Sequence, residues 1–256
     1  MFSARKTRIG AILRIFRIVS VAVACFAGGS FHAQSLEAAR MAYDAGDFLE
    51  AADMAARLNT ADGYALAANS LAVYGFHIAA PGQEREDIFA RATDYGLEAV
   101  RLEPQNVQAH LQLAHAMGRY AQVVGVVEVL GNRYVTRVRD AVETAAELDP
   151  ESAMAHLGIA AWHAEALGKA GIIARLLFGA SSARALEHID LALEYGPELK
   201  VVQLETGYSL LLLSERRYGD RALRLLRAAR ELPIGNAWDE FLHERTLEML
   251  ADLGEC

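Results

Sequence analysis

Residues that could do chemistry are few in this sequence and widely spaced. Three glycines and a lysine gather in "GKAGIIARLLFGASS", residues 168–182. A Gly-Lys pair marks a phosphate-binding loop when a glycine stands five residues before it and Ser or Thr follows. Here position 163 is His, Lys169 is followed by Ala170, and no strand precedes the stretch to aim such a loop. The membrane reading fares little better: "AGIIARLLFGA" has one charge, Arg175, is far shorter than the ~20 residues a crossing helix needs, and has no basic rim. The stretch predicts a helix that runs past Gly168, breaks near Gly171 and packs Ile172, Ile173, Leu176 and Leu177 on one face. Gly179 ends it, and Ser181 or Ser182 caps the next helix. The earlier "YAQVVGVVEVLGNRYVTRVRDAV" has the same layout, with a break at Gly131-Asn132 and a helix opening near Thr136. Both segments read as lengthened helical hairpins that serve packing, with a ligand-facing role left open.

Eight histidines raise the question of a metal site. His110 and His115 are five apart, and His156 and His163 seven apart. Two ligands on one helix sit three or four apart, facing the same way. His110 and His156 occupy one position of an internal repeat, so their recurrence is structural. Glu187-His188 and the acidic "WDEFLHE" at 238–244 read as helix surface. There is no Gly-x-Ser-x-Gly for nucleophilic catalysis, and Ser152 and Ser181 stand where helix caps belong. The expectation is a chain with no catalytic residue, no cofactor and no metal, hence no enzyme.

The elements that would position any site are helices. At 53 % hydrophobic and 23 % charged, the 256 residues are too apolar for disorder, and few windows alternate apolar with polar. The N-terminus differs in kind. Arg5, Lys6, Arg8, Arg14 and Arg17 precede an apolar run from Ile18 to Ala27, then "GGSFHAQ". That order reads as an export signal over residues 1–33, followed by a domain over 34–256. Cleavage falls near Ala33, or after Ala27 because Phe31 is bulky; an uncleaved inner-membrane anchor is the alternative. A lipoprotein signal at "AVAC" is the lesser option, with Ala22 where Leu is usual.

Removal of residues 1–33 takes away five bases and no acid, leaving 33 acids against 20 bases, a net −13. Such a surface repels nucleic acid and anionic membrane, so no nucleic-acid partner is expected and membrane contact only through the N-terminal segment, should it stay uncleaved. Cys25 lies in the signal and Cys256 is the last residue, so no intrachain disulfide framework is expected.

The helices repeat. "VRLEPQNVQAHLQLAHAMG" at 100–118, "AELDPESAMAHLGIAAWHA" at 146–164 and "LEYGPELKVVQLETGYSLL" at 193–211 align without gaps, with Pro104, Pro150 and Pro197 spaced 46 and 47 residues apart. A fixed period in this range marks stacked helical hairpins. Proline fits the junction because it lacks an N–H and fixes φ, so it stops one helix and can open the next.

These segments resemble the tetratricopeptide repeat (TPR) family. Small residues fall where that family's two helices touch: Ala92 and Ala99, Ala145, and Ala185 with Ala192. "LEAARMAYDAGDFLEAADMAARL" at 36–58 is the most regular copy, and a last one runs through "ERRYGDRALRLLRAARELP". The usual repeat has 34 residues, and the inner copies here carry 12 or 13 more. More narrowly, "AWHAEALG…ARLLFGASSARALEHIDLALEYGPE" is similar to exported bacterial TPR proteins. Among these are the T components associated with periplasmic solute transporters, and a related layout appears in eukaryotic regulators of microtubule dynamics. The resemblance implies an all-α fold, an α-solenoid of about five stacked TPR-like hairpins with lengthened inner repeats and a C-terminal closing helix.

It also implies a concave groove lined by the first helix of each hairpin. The proline register assigns Gln108, Leu111, His115, Met154, Leu157, Ala161, Val201, Leu204 and Tyr208 to that lining. The groove would dock a protein or peptide partner in the bacterial envelope, as a scaffold or adaptor in the periplasm. The alternative is a carrier or sensor of an apolar small molecule or lipid, working with a transporter. A third outcome is that extended hairpins or the last helix fill the groove.

Overall fold

Each proline junction carries its own locking device, and the devices explain why the hairpins recur. Six residues after each proline stands a residue that can donate from a side-chain nitrogen. His110 Nε2 meets the Pro104 carbonyl at 2.8 Å, His156 Nε2 meets that of Pro150 at 2.9 Å, and Gln203 Nε2 donates to that of Pro197 at 2.7 Å. Two residues after the first two prolines, Asn106 and Ser152 accept the N–H groups of Ala109 and Ala155 and so cap the following helices. The repeated histidine is a clasp on the helix-to-helix corner.

The computed structural model describes residues 35–255; the expected signal segment lies outside them. These residues form α1 (35–44), α2 (Phe48–Ala56), α3 (Ala61–His77), α4 (Gln83–Leu102), α5 (Val107–Val123), the short α6 (Val126–Gly131), α7 (Tyr134–Leu148), α8 (Ala153–Phe178), α9 (Ser182–Tyr195), α10 (Lys200–Glu231) and α11 (Ala237–Asp252). α1/α2, α3/α4, α5/α7 and α8/α9 form four hairpins, with α6 at the tip of the third, and α10 supplies a fifth. The fifth arises where α10 reverses at Ser214 (φ −177°, ψ 103°). The reversal brings Gly207 against Ala222 and Leu226, and Lys200 Nζ donates to the Ala229 and Leu232 carbonyls at 2.8 and 2.7 Å.

Helices approach closely where side chains are small. Ala51, Ala92, Ala99, Ala145, Ala185, Ala192, Ala222 and Ala229 are all fully buried. A methyl group on Gly96 would sit 2.8 Å from the Leu113 backbone, so α4 and α5 touch nearly main chain to main chain. The second hairpin turns at Pro81-Gly82, with Gly82 at φ +124°, and Thr60 caps its first helix.

The closing helix reaches the far end of the array. On one side Leu242 and Leu250 of α11 join Leu204, Leu226 and Ala229 in a buried cluster. On the other, Trp238 and Phe241 pack with Tyr43, Phe48 and Val73 of the first two hairpins. The segment 238–244, expected as surface, is therefore a two-sided packing element. Its acids Asp239, Glu240 and Glu244 fall between the apolar positions of a helix that is covered on two faces rather than one.

The two insertions turn out differently from the packing expected of them. α8 breaks at Gly171 (φ 51°, ψ −121°) and Gly179 ends it in the left-handed region at φ 72°. Past the break only Ala174 is buried, against Trp162 and Ala180, while Ile172, Ile173, Leu176 and Leu177 are 56–77 % exposed. In α6, Val129 faces the core and Val126, Val127 and Leu130 face outward. The reason is the length of the neighbours. The next hairpin turns tightly at Ser214 and the second at Pro81-Gly82, so the inserted helices overhang surfaces that do not extend to meet them.

Candidate functional site

The inner face is built by one-turn spacing along the first helix of each hairpin. The position eleven residues past the proline is His115, Ala161 and Tyr208 in turn, and one turn later stand Arg119 and Glu165. A side chain four residues on lies on the same helical face. His115 and Arg119 of α5 therefore look toward Phe76 and His77 at the end of α3. Glu205 and Tyr208 of α10 look toward Arg245 of α11.

The side chains meet as follows. The Arg119 guanidinium lies 3.7 Å above the Phe76 ring. Its Nε donates to His115 Nε2 at 3.5 Å and its Nη1 to Gln122 Oε1 at 3.4 Å, both at the long limit. Arg245 pairs with Glu205 and sits 5.0 Å from the centre of the Tyr208 ring. His77 stacks flat on Phe241, centroids 4.5 Å apart. No carboxylate among the described residues comes within 4.0 Å of Arg119. The interior thus holds one paired and one unpaired guanidinium.

The histidines record that positive field. Burial and then the Arg119 and Arg245 charges hold His77 down at about 4. Burial, Arg119 and His77 hold His115 lower still, at about 3. Burial also lowers Arg119, with Arg245 adding to the effect and Glu205 opposing it. Near neutral pH both imidazoles are uncharged, and the charge left over is the guanidinium of Arg119.

A planar guanidinium over an aromatic ring, beside two neutral imidazoles, is chemically suited to a carboxylate or another oxyanion. Among the described residues no group of three or more His, Cys, Asp or Glu could hold a metal ion. His163 accepts from the Ser181 N–H through Nδ1 at 3.3 Å, inside the fourth hairpin and away from the inner face. His188, expected at the surface, is half-buried with its Nδ1 3.0 Å from that of His156.

The structure distributes the nine expected lining residues among several environments. His115 and Tyr208 reach the inner polar group, and Ala161 lies between them in register. Leu204 is buried beneath α11, and Val201 borders both that cluster and the one behind it. Leu111, Met154 and Leu157 belong to the cores between successive hairpins, and Gln108 is exposed at the start of α5. Four contributors were not assigned from the sequence: His77, Arg119, Glu205 and Arg245. Arg119 was within reach, being one turn after His115. The other three depend on how far α3, α10 and α11 lean over the groove, for which no local signal exists. The groove carries two arginines at its centre, Arg119 and Arg245.

The comparisons with known proteins fit this architecture. The crystal structure of TTC0263, a thermophilic TPR protein in Thermus thermophilus, superposes with a TM-score of 0.60 at 16 % identity, covering 86 % of this chain and 99 % of that one. At that identity the likeness speaks for the fold alone. No curated protein sequence matches the chain. The family model described as regulator of microtubule dynamics protein 1-3 matches residues 36–254, from the first hairpin through the closing helix. With nearly every described residue inside that match, the chain belongs to the regulator of microtubule dynamics protein 1-3 family, on a TPR-like α-solenoid.

Proposed function

We propose that the protein is a non-enzymatic adaptor that holds a carboxylate-bearing segment of a partner protein against its inner face. The observation that carries this is Arg119, in the concave face with an aromatic ring beneath it and no carboxylate within 4.0 Å among the described residues. A guanidinium in such a place loses hydration with only the more distant charges of Glu205 and Glu165 to offset it, and an incoming carboxylate supplies a direct partner. α11 lies across the groove, from Trp238 and Phe241 on the first two hairpins to Leu242 and Leu250 on the last, so the segment that fits beside it is short: a chain terminus or a tight loop rather than a long helix. The groups gathered at the inner face include no nucleophile with an adjoining base, which supports binding over catalysis. The basic and apolar order of residues 1–33 supports export to the bacterial envelope, with the periplasm as the working address and the inner membrane as the alternative should the segment stay uncleaved.

The test is fluorescence anisotropy on the full chain, with a pool of acidic peptides and the same pool with its carboxyl groups amidated. Acidic peptides should bind, and Arg119→Gln should weaken them about tenfold or more with its melting curve unchanged. Equal binding of the amidated pool would sink the reading. A lipid-sized adduct in the native mass spectrum, kept by Arg119→Gln, would favour the apolar carrier instead. The intact mass of the exported chain settles the cleavage site.

A further inference from the structure

The outward apolar faces of the two inserts have a common setting. α6 closes the tip of the third hairpin, and the part of α8 beyond Gly171 closes the tip of the fourth. They lie on the same edge of the array, because Phe178 and Ala174 pack with Trp162 beside Val135 and Val138 at the start of α7, immediately after α6. The Trp162 indole donates to the Val135 carbonyl at 2.7 Å, and Arg139 Nη1 to that of Phe178 at 3.3 Å, which fixes the two tips together. The exposed side chains are Val126 and Val127 on one helix, at 73 and 86 %, and Ile172 and Leu176 on the other, at 72 and 77 %.

The charge of this edge opposes that of the chain. Residues 121–143 and 165–184 hold the six bases Arg133, Arg137, Arg139, Lys169, Arg175 and Arg184 against the four acids Glu128, Asp140, Glu143 and Glu165. The whole chain has 33 acids to 25 bases. Arg139 pairs with Asp140 and shares Glu143 with Arg184, and Lys169 is matched by Glu165. Arg133, Arg137 and Arg175 have no carboxylate within 4.0 Å among the described residues. The basic rim missing from the sequence of "AGIIARLLFGA" is assembled in three dimensions by the neighbouring hairpin.

From these two observations we infer that the edge formed by α6 and the outer part of α8 is a docking surface for an anionic lipid bilayer. Exposed Val, Ile and Leu side chains on short helices enter the acyl boundary while the arginines beside them meet lipid phosphates. Another protein's apolar patch would match the valines and isoleucines but would leave Arg133, Arg137 and Arg175 without a counter-charge. The wider acidic surface keeps the rest of the array off the membrane, so only this edge approaches.

Hydrogen exchange on the full chain tests this, with vesicles of phosphatidylcholine alone and of phosphatidylcholine doped with phosphatidylglycerol. Because residues 18–27 could bind lipid themselves, the readout is local. Peptides covering 124–133 and 170–178 should exchange more slowly on the anionic vesicles and little differently on the neutral ones. The triple variant Val127→Asp/Ile172→Asp/Leu176→Asp should lose that protection. Arg133→Glu/Arg175→Glu, which leaves the apolar faces intact, should weaken vesicle binding about tenfold or more. Protection confined to the first 34 residues would overturn the inference. So would the same protection in concentrated protein without vesicles, which would assign the edge to a second copy of the chain.

Discussion

His77 of the second hairpin and Phe241 of the closing helix lie ring on ring, centroids 4.5 Å apart and planes 11° from parallel. The two residues are separated by almost the whole repeat array. Their contact, with Phe241 also 6.1 Å from Phe48, is where the last helix seals against the start of the solenoid.

Phe241→Ala removes both ring contacts at once. It should destabilise the protein by about 2 kcal/mol in chemical denaturation, near the low end for a large-to-small change because Phe241 keeps some exposure. It should also loosen the closure, which small-angle scattering would read as an increase in radius of gyration. An unchanged radius with the expected loss of stability would mean that Trp238 and Leu242 hold α11 in place by themselves.

The depressed histidines make stability depend on pH in a defined direction. His77 sits at about 4 and His115 at about 3 when folded, against ~6.5 when unfolded. The unfolded chain therefore binds more protons between those values, and stability rises with pH across the window. It is complete above pH ~6.5 and should fall as the pH drops toward 4, by up to about 1.4 kcal/mol per pH unit for each histidine. Melting temperatures taken from pH 7 to pH 4 check this. The double variant His77→Gln/His115→Gln should flatten the slope without abolishing it, because His163, also held at about 4 by burial, remains.

The proline clasp predicts which replacements the repeat tolerates. His110→Ala leaves the Pro104 carbonyl without its donor and should cost about 1–2 kcal/mol. His110→Gln should recover most of that, since Gln203 performs the same contact to Pro197 further along the array. Urea denaturation of the two variants decides the matter, and equal losses in both would show that the imidazole matters for packing rather than for its N–H.

Gly171 stands at φ 51°, ψ −121°, a conformation costly for any residue with a Cβ, although the space around it is open. Gly171→Ala should therefore cost about 1–2 kcal/mol through the backbone alone. Where the chain instead relaxes by straightening α8, exchange at residues 172–178 should change and the apolar face should turn away from its present direction. Comparing thermal stability with local exchange separates the two responses.

Much of this protein is legible along the chain because its information is local. A proline without an N–H, a cap two residues later and an alanine at each close contact act over a few residues, and each repeats with the period of the fold. The break at Gly171, the end at Gly179 and the Ser181 cap follow from backbone chemistry of the same short range. His110 and His156 were recognisable as structural from their common register, although the carbonyl they hold was not.

What the sequence could not decide is which apolar face finds a neighbour. The spacing of Ile172, Ile173, Leu176 and Leu177 is that of a packing face, yet they point outward, because burial depends on whether an adjacent hairpin is long enough to cover them. The same limit hid the inner site. Arg119 and Arg245 are ordinary helix residues in sequence, and Trp238 to Glu244 reads as an acidic helix surface. Only when α11 folds across the concave face do the arginines come together and their charges hold two histidines neutral. Periodicity and capping determined the helices and their order; relative hairpin length and the path of the last helix, both non-local, decided what is buried, what is charged within, and what is left facing out.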